Sequence, residues 1–329
     1  MKTPLLAGIF LAAFAASTGV GAAESQILRV PSPPAAETSA EAGAIALAAD
    51  KKRHLTLDVT VAGKGPFPFL IDTGAENTLI TRELADELDL REGPRRMLHS
   101  MDGSRTVRSS VIPHLAASHV QERNITVSTV LRRYLDADGI LGLSTLKSQR
   151  LELDFKTGAM TLAPSRERED KWEGESIVVS ARSRLGQLIL TQAAIGPDQV
   201  LVILDTGNHF SVGNPALRRV LSKRQPAGPH TYGTVRLTDI NGNTTQLDYR
   251  TVGQLRVATL NFQNVPVGFA DARVFDVLDL KEQPALLLGM DVLRLFGRVS
   301  IDFGNRRVRF QIAGEYDTPT TAGAADSDR

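Results

Sequence analysis

The chain has 329 residues, of which 42% are apolar and 23% charged. That is the balance of a soluble globular protein, and the length allows two domains that each bury a core. A formal net charge of +1 gives nucleic acid or an anionic membrane no electrostatic hold, and the absence of cysteine excludes disulfides, thiolate metal sites, cysteine nucleophiles and a lipidated cysteine.

Met1-Lys2-Thr3-Pro4 is a short basic start, Leu5 to Ala16 a continuous apolar run, and Gly21-Ala22-Ala23 a small-residue cleavage site before Glu24. The pattern predicts a secretory signal peptide over residues 1–23, because the run is shorter than the ~20 residues a spanning helix needs; an uncleaved membrane anchor is the alternative. Export to a bacterial periplasm or to the medium is expected, with no stable membrane association after cleavage. Residues 24–50 are rich in Ala, Pro, Ser and Glu without periodicity, and read as a disordered linker or as a pro-segment. A first lobe is expected over 51–164 and a second over 183–313. The connection between them, 165–182, opens on the charged stretch SREREDKWEG, and 314–329 reads as a disordered tail.

Within the first lobe, His54 to Val61 has strand character, and a turn follows at Gly63. Phe69-Leu70-Ile71 then reads as a buried strand. Asp72-Thr73-Gly74 breaks it, and Leu79-Ile80 resumes the apolar character. A carboxylate at the end of a core strand costs free energy unless it is paired or used. Thr81 to Leu90 predicts a short helix, with Leu84 and Leu88 one turn apart. Asp102-Gly103, and later Asn241-Gly242, signal two-residue hairpins. Arg150 to Leu162 alternates through Leu151, Leu153 and Phe155 before turning at Lys156-Thr157-Gly158. The architecture predicted is largely β with few short helices.

The second lobe repeats the first. HLTLDVTVAGKGPFPFLIDTGAENTLI (54–80) lies on QLILTQAAIGPDQVLVILDTGNHFSVG (187–213) without a gap, at a constant offset of 133. Asp72 falls on Asp205, Gly74 on Gly207 and Thr78 on Ser211. Further on, DGILGLSTL (138–146) matches LLLGMDVL (286–293) with Gly142 on Gly289, and 150–162 matches 298–310 with Asp154 on Asp302. One fold unit is written twice, so Asp72 has a twin.

Two such carboxylates can act together if the halves pack about a pseudo-two-fold axis. Like charges in near contact cannot both ionise, so one group holds a proton while the other is an anion. The anion takes a proton from a bound water while the acid donates one to the carbonyl under attack. Glycine after each threonine lets backbone approach where the strands cross. The Thr73 and Thr206 hydroxyls can hydrogen-bond across the axis.

These motifs resemble the retropepsin/pepsin-like aspartic proteases, in the form of a bacterial exported chain that carries both Asp-Thr-Gly lobes. The resemblance rests on Asp72-Thr73-Gly74-Ala75 with Thr78, on Asp205-Thr206-Gly207 with Ser211, and on Ile140-Leu141-Gly142 and Leu287-Leu288-Gly289. It implies an all-β fold of two similar β-barrel-like lobes, with Gly142 and Gly289 packed beneath the catalytic loops. It further implies an endopeptidase acting on a peptide or protein without metal or cofactor, and active as a monomer. Hairpin flaps over the cleft are implied too, with candidate tips at Asp102-Gly103 and Asn241-Gly242. The alternative for each is a plain surface turn. Residues 95–112 contain no tyrosine, unlike a pepsin's first flap, which favours a fused retropepsin pair. Ala75 lacks the hydroxyl that pepsins place after the motif, so a dyad less acidic than a pepsin's is expected.

Other chemistries lack their signatures. The six histidines show no H-E-x-x-H spacing, and no G-x-S-x-G, P-loop or G-x-G-x-x-G is present. Asp154 and Asp302 read as structural turn residues, Glu76 and His209 as surface residues, and Trp172 as packing. The function class that competes with a protease is an exported module that holds an extended peptide without cutting it.

Overall fold

The computed structural model describes residues 26–29, 56–100, 103–224 and 232–312. The predicted signal peptide, most of 24–50 and the predicted tail lie outside the described residues.

The first lobe is a closed six-stranded barrel. Its strands are β2 (Thr56–Val61), β3 (Lys64–Ile71), β4 (Leu79–Thr81), β7 (Ser109–Ala117), β8 (Val120–Val130) and β9 (Gly139–Leu141). Around the barrel they run in the order β2-β3-β9-β4-β8-β7. Alternate residues point inward, as period-two side chains must. Val59, Val61, Phe69, Ile71, Leu115 and Leu141 are all buried in the core. The helix expected after residue 81 is α1 (Arg82–Glu87), whose start is capped by Thr81 Oγ1 accepting from Leu84 N–H at 3.3 Å.

The second lobe repeats that ring. β13 (Gln187–Ile195), β14 (Asp198–Leu204), β19 (Ala285–Leu288), β15 (Val212–Gly213), β18 (Leu260–Phe269) and β17 (Thr244–Val257) are neighbours in that order, and a β13–β17 pairing closes the circle. Strand for strand this is the first lobe's order. The two lobes of an all-β fold are therefore equivalent, as the offset repeat predicts.

The second lobe's sheet continues past β13 into five strands that join the lobes, in the order β11 (Ala159–Pro164), β10 (Gln149–Asp154), β20 (Phe296–Asp302), β21 (Arg307–Ile312), β12 (Ser176–Arg184). The repeated segments 150–162 and 298–310 meet here, with Leu151 opposite Ile301 and Leu153 opposite Val299. Asp154 serves structure, as expected. It accepts from Lys156 and Thr157 N–H at 3.0 Å each and pairs with Arg298 at 2.6 Å. Asp302 does likewise, accepting from Asn305 N–H at 3.0 Å. Trp172 is buried beneath the Arg309 guanidinium, 4.2 Å from its ring centre.

Two connections differ from expectation. Residues 165–182 end in a strand, since β12 pairs first with β21 and then with β13, carrying the chain into the second barrel. Inside 24–50, β1 (Gln26–Arg29) lies parallel to β18, with Gln26 opposite Leu260, so this part of the segment is a strand and not a disordered linker. An edge strand offers backbone donors and acceptors to any extended segment, and this chain covers that edge with its own N-terminal residues. Leu28 packs against the core. A chain beginning at residue 51 is expected to lose ~1–2 kcal/mol, the worth of a partly buried leucine, and to melt a few degrees lower by calorimetry.

Candidate active site

Each predicted acid stands at the end of a strand in the middle of its barrel. β3 runs parallel to β9 with Ile71 opposite Leu141, and Asp72 N–H donates to the Leu141 carbonyl at 3.1 Å. In the second lobe β14 runs parallel to β19 with Leu204 opposite Leu288, and Asp205 N–H donates to the Leu288 carbonyl at 3.0 Å. Both loops are thus fixed from below by the strand that carries the apolar-apolar-Gly element.

The threonines join the lobes. Thr73 Oγ1 donates to the Leu204 carbonyl and Thr206 Oγ1 to the Ile71 carbonyl, each at 2.7 Å. Each hydroxyl also accepts from the other threonine's N–H, at 3.0 Å on Thr73 and 3.2 Å on Thr206. Four reciprocal bonds cross the axis. Thr73 is buried, so Thr73→Val strands the Leu204 carbonyl and the Thr206 N–H together. The expected cost is about 2 kcal/mol or more in urea unfolding, most of it restored by serine.

These bonds bring the carboxylates together. A Cβ added to Gly74 would stand 2.8 Å from both carboxylate oxygens of Asp205. One added to Gly207 would come within 2.5 Å of both oxygens of Asp72. Each glycine therefore faces the opposite lobe's acid. Asp72 Oδ1 accepts from Gly74 N–H at 2.7 Å and Ala75 N–H at 3.1 Å. Asp205 Oδ1 accepts from Gly207 N–H at 3.1 Å, and its Oδ2 from Asn208 Nδ2 at 2.5 Å.

Burial dominates the electrostatics of the pair. It pushes Asp205 up to about 7, helped by the neighbouring Asp72 charge and opposed by the Asn208 side chain and the Gly207 and Asn208 N–H groups. Burial raises Asp72 as well, against the Gly74 and Ala75 N–H donors and a hydrogen bond with Asp205. The hydrogen bond with Asp205 favours the charged form of Asp72, and the Asp72 charge in turn holds the proton on Asp205, so Asp72 is the anion and Asp205 the proton carrier. The two titrate as one unit.

The supporting residues lie beneath the loops. Gly142 N–H donates to Thr78 Oγ1 at 3.1 Å, and that hydroxyl meets Thr145 Oγ1 at 2.8 Å. Gly289 N–H donates to Ser211 Oγ at 3.1 Å. A Cβ on Gly142 would stand 2.6 Å from the Asn77 carbonyl, and one on Gly289 would be 2.9 Å from the Asn208 carbonyl oxygen. Only glycine lets the second element approach the loop so closely. Glu76 is exposed and His209 partly so, and both reach this element through their carbonyls, Glu76 to Ser144 N–H at 3.0 Å and His209 to Asp291 N–H at 3.1 Å. Among the described residues no group of three or more His, Asp and Glu side chains is placed to hold a metal ion.

The model of the aspartyl protease family matches residues 57–145 and 191–292, one stretch in each lobe and more than half of the chain together. The chain belongs to the aspartyl protease family. No curated protein matches it.

The two halves of this aspartyl protease are not identical. Asp291 occupies the place that Ser144 has in the first lobe, and it is a residue the sequence reading passed over. It accepts from Ser211 Oγ at 2.7 Å, Ser211 N–H at 3.1 Å and Val292 N–H at 3.0 Å. Burial pushes its carboxyl up to about 6 despite those donors. The mismatch between LGLS (141–144) and LGMD (288–291) is the signal that could have found it. Gln187, also passed over, is buried and donates from Nε2 to the Gly74 carbonyl at 3.2 Å.

The second hairpin of this protease departs from the two-residue turn expected, and the first carries its turn one position earlier than Asp102-Gly103. β5 (Arg96–Ser100) pairs with β6 (Gly103–Val107) with Ser100 opposite Gly103. Gly103 therefore opens a strand, while Asp102 lies outside the described residues. Asn241 and Gly242 fall within a five-residue connection between β16 (Tyr232–Thr238) and β17, not at a tight turn. Asp239 sets that geometry, because one carboxylate oxygen accepts from Asn241 N–H at 2.9 Å and Asn243 N–H at 2.8 Å. Gly103 borders a cavity whose other walls belong to the second lobe, and Gly242 rests on Tyr134 of the first.

Proposed function

We propose that this aspartyl protease is an endopeptidase in which Asp72 and Asp205 activate one water between them. The observation that carries the reading is that each acid faces the other lobe's glycine in a buried site where only one of the two readily ionises. Asp72, as the anion, takes a proton from the water as its oxygen attacks the scissile carbonyl carbon. Asp205 gives its proton to the carbonyl oxygen, and the tetrahedral intermediate forms. In its collapse Asp72 gives its proton to the leaving nitrogen, the C–N bond breaks, and Asp205 takes a proton from one hydroxyl of the intermediate, which returns the dyad to its starting state with one shared proton. No metal or cofactor enters these steps. Both halves come from one polypeptide, so a monomer suffices. The substrate is a peptide or protein, and the N-terminal pattern of residues 1–23 is what supports export from the bacterial cytoplasm. Among the described residues no helix is long and apolar enough to cross a membrane.

The test is digestion of a diverse peptide library by the chain from residue 24, read by mass spectrometry from pH 3 to 8. Cleavage is expected in mildly acidic solution, falling away above pH 7 as Asp205 loses its proton. Binding of a transition-state mimic without any cleavage would favour the peptide-holding module instead. Asn208→Ala removes a donor that favours the Asp205 anion, so Asp205 keeps its proton to higher pH. The alkaline limb of kcat/KM is expected to move upward, and an unmoved limb would assign that limb to another group.

A further inference from the structure

The pseudo-two-fold axis relates two ends of the cleft that the chain finishes differently. In each lobe a short helical piece precedes the strand flanking the dyad strand. In the first it is a 3-10 turn, Arg132–Tyr134, ahead of β9. In the second it is α4 (Arg273–Val277), ahead of β19; α2 (Leu143–Leu146) and α3 (Pro215–Arg224) lie between them in the chain. Each hairpin reaches across to the opposite lobe's piece.

At the second-lobe end there is room. A cavity of about 370 Å³ opens between Gly103 of the first hairpin and Thr245, Leu247, Ala270 and Arg273. Asp271 and Asp276 on its rim are already paired with Lys281, at 3.4 and 3.3 Å. Space rather than a bare charge distinguishes this end.

At the first-lobe end the equivalent room is filled. The second hairpin's Gly242 lies against the Tyr134 ring so closely that a Cβ there would be 2.7 Å from the tyrosine hydroxyl. Beside it Ile240 packs against an apolar cluster of Leu79, Leu98, Leu135 and Ile140, to which Ala75 of the Asp72 loop also belongs. The plug therefore begins next to the reacting groups. An extended peptide advances ~3.3 Å per residue, so a blocked end costs it contacts within the first few residues.

We propose that Tyr134 is a specificity-determining residue that limits how far substrate extends at the first-lobe end, while the cavity at Gly103 takes substrate at the other. This rests on the proposed peptide-cleaving site and adds a direction to it. The enzyme prefers bonds near one end of a peptide, and it tolerates length on one side of the scissile bond only.

The experiment measures binding, so that it does not depend on turnover. The chain with both acids intact is titrated calorimetrically with peptides sharing one Val-Val-statine core, whose hydroxyl mimics the tetrahedral intermediate and offers no scissile bond there. One series is lengthened at the N-terminus and the other at the C-terminus. Affinity is expected to rise with length in one series and to stay flat or fall in the other. Adding Tyr134→Gly should tighten the blocked series by about tenfold and leave the permitted one unchanged. Tyr134→Phe, which keeps the ring, should behave as the parent. Equal length dependence in both series, or a glycine variant that shifts both alike, would overturn the proposal. Asymmetric binding with no cleavage of the peptide library by the same chain would remove the hydrolytic reading and keep the role of Tyr134. No binding by any statine peptide would overturn both.

Discussion

Asp205→Asn is expected to lower kcat/KM for peptide cleavage by about a thousandfold or more, and Asp72→Asn to do the same, because each removes one partner from a single proton-transfer unit. Circular dichroism should show both variants folded, since asparagine keeps the shape and one acceptor oxygen. Their stabilities carry a second signature. The Asp205 carboxyl is raised to about 7 in the folded chain, above the ordinary value of 3.8. Between those limits the folded state holds a proton that the unfolded state releases. Stability of the parent therefore falls as pH rises through that window and levels off above pH 7. Asparagine has no such term. Asp205→Asn should match the parent near pH 4 and exceed it at pH 8, by on the order of a few kcal/mol at most. A variant that is less stable than the parent at pH 8 would contradict the buried, proton-holding Asp205.

Gly207→Ala is the second large effect. The new methyl would fall within 2.5 Å of both Asp72 oxygens, so either the Asp72 carboxylate or the strand crossing must move. A displacement of that size at a reacting group costs on the order of a hundredfold in rate, and relief of the overlap costs ~1–3 kcal/mol of stability. Gly253→Ala is the control, because a Cβ there meets nothing within 4 Å. Its activity and melting temperature should be those of the parent. Near-parental activity in Gly207→Ala would mean that the carboxylates do not face each other across the two glycines.

The parts of the site that sequence revealed are those the chain states twice. The offset repeat picked out Asp72 and Asp205 with their threonines, and the second repeated segment picked out Gly142 and Gly289, without knowledge of the fold, since a duplicated unit must bury the same strands and bend at the same turns. What sequence hid is where the copies differ. Asp291 replaces a serine, and a single unmatched carboxylate reads as surface until burial is seen. Ala75 was legible as a departure from the family's hydroxyl, but Asn208 at the matching position was not legible as the donor that completes the Asp205 shell. The turn at Asn241-Gly242 carried a strong local signal that Asp239 overrides, because its carboxylate organises a longer connection. β1 could not be read from its four residues, whose partner strand lies more than 230 positions away. Nothing in the sequence sets Tyr134 apart, because the Gly242 that rests on its ring belongs to the other lobe.

The account depends on one shared proton between two facing acids, and that can be measured without knowing the substrate. Carboxyl carbons labelled with 13C at aspartate, assigned through the two asparagine variants, can be titrated by NMR in the intact chain from pH 3 to 9. The predicted result is a coupled pair that holds a single proton through the mildly acidic range and gives it up near pH 7, with loss of either aspartate returning the other to a simple one-step curve. Two independent titrations near the ordinary carboxylate value, each indifferent to removal of its partner, would contradict it.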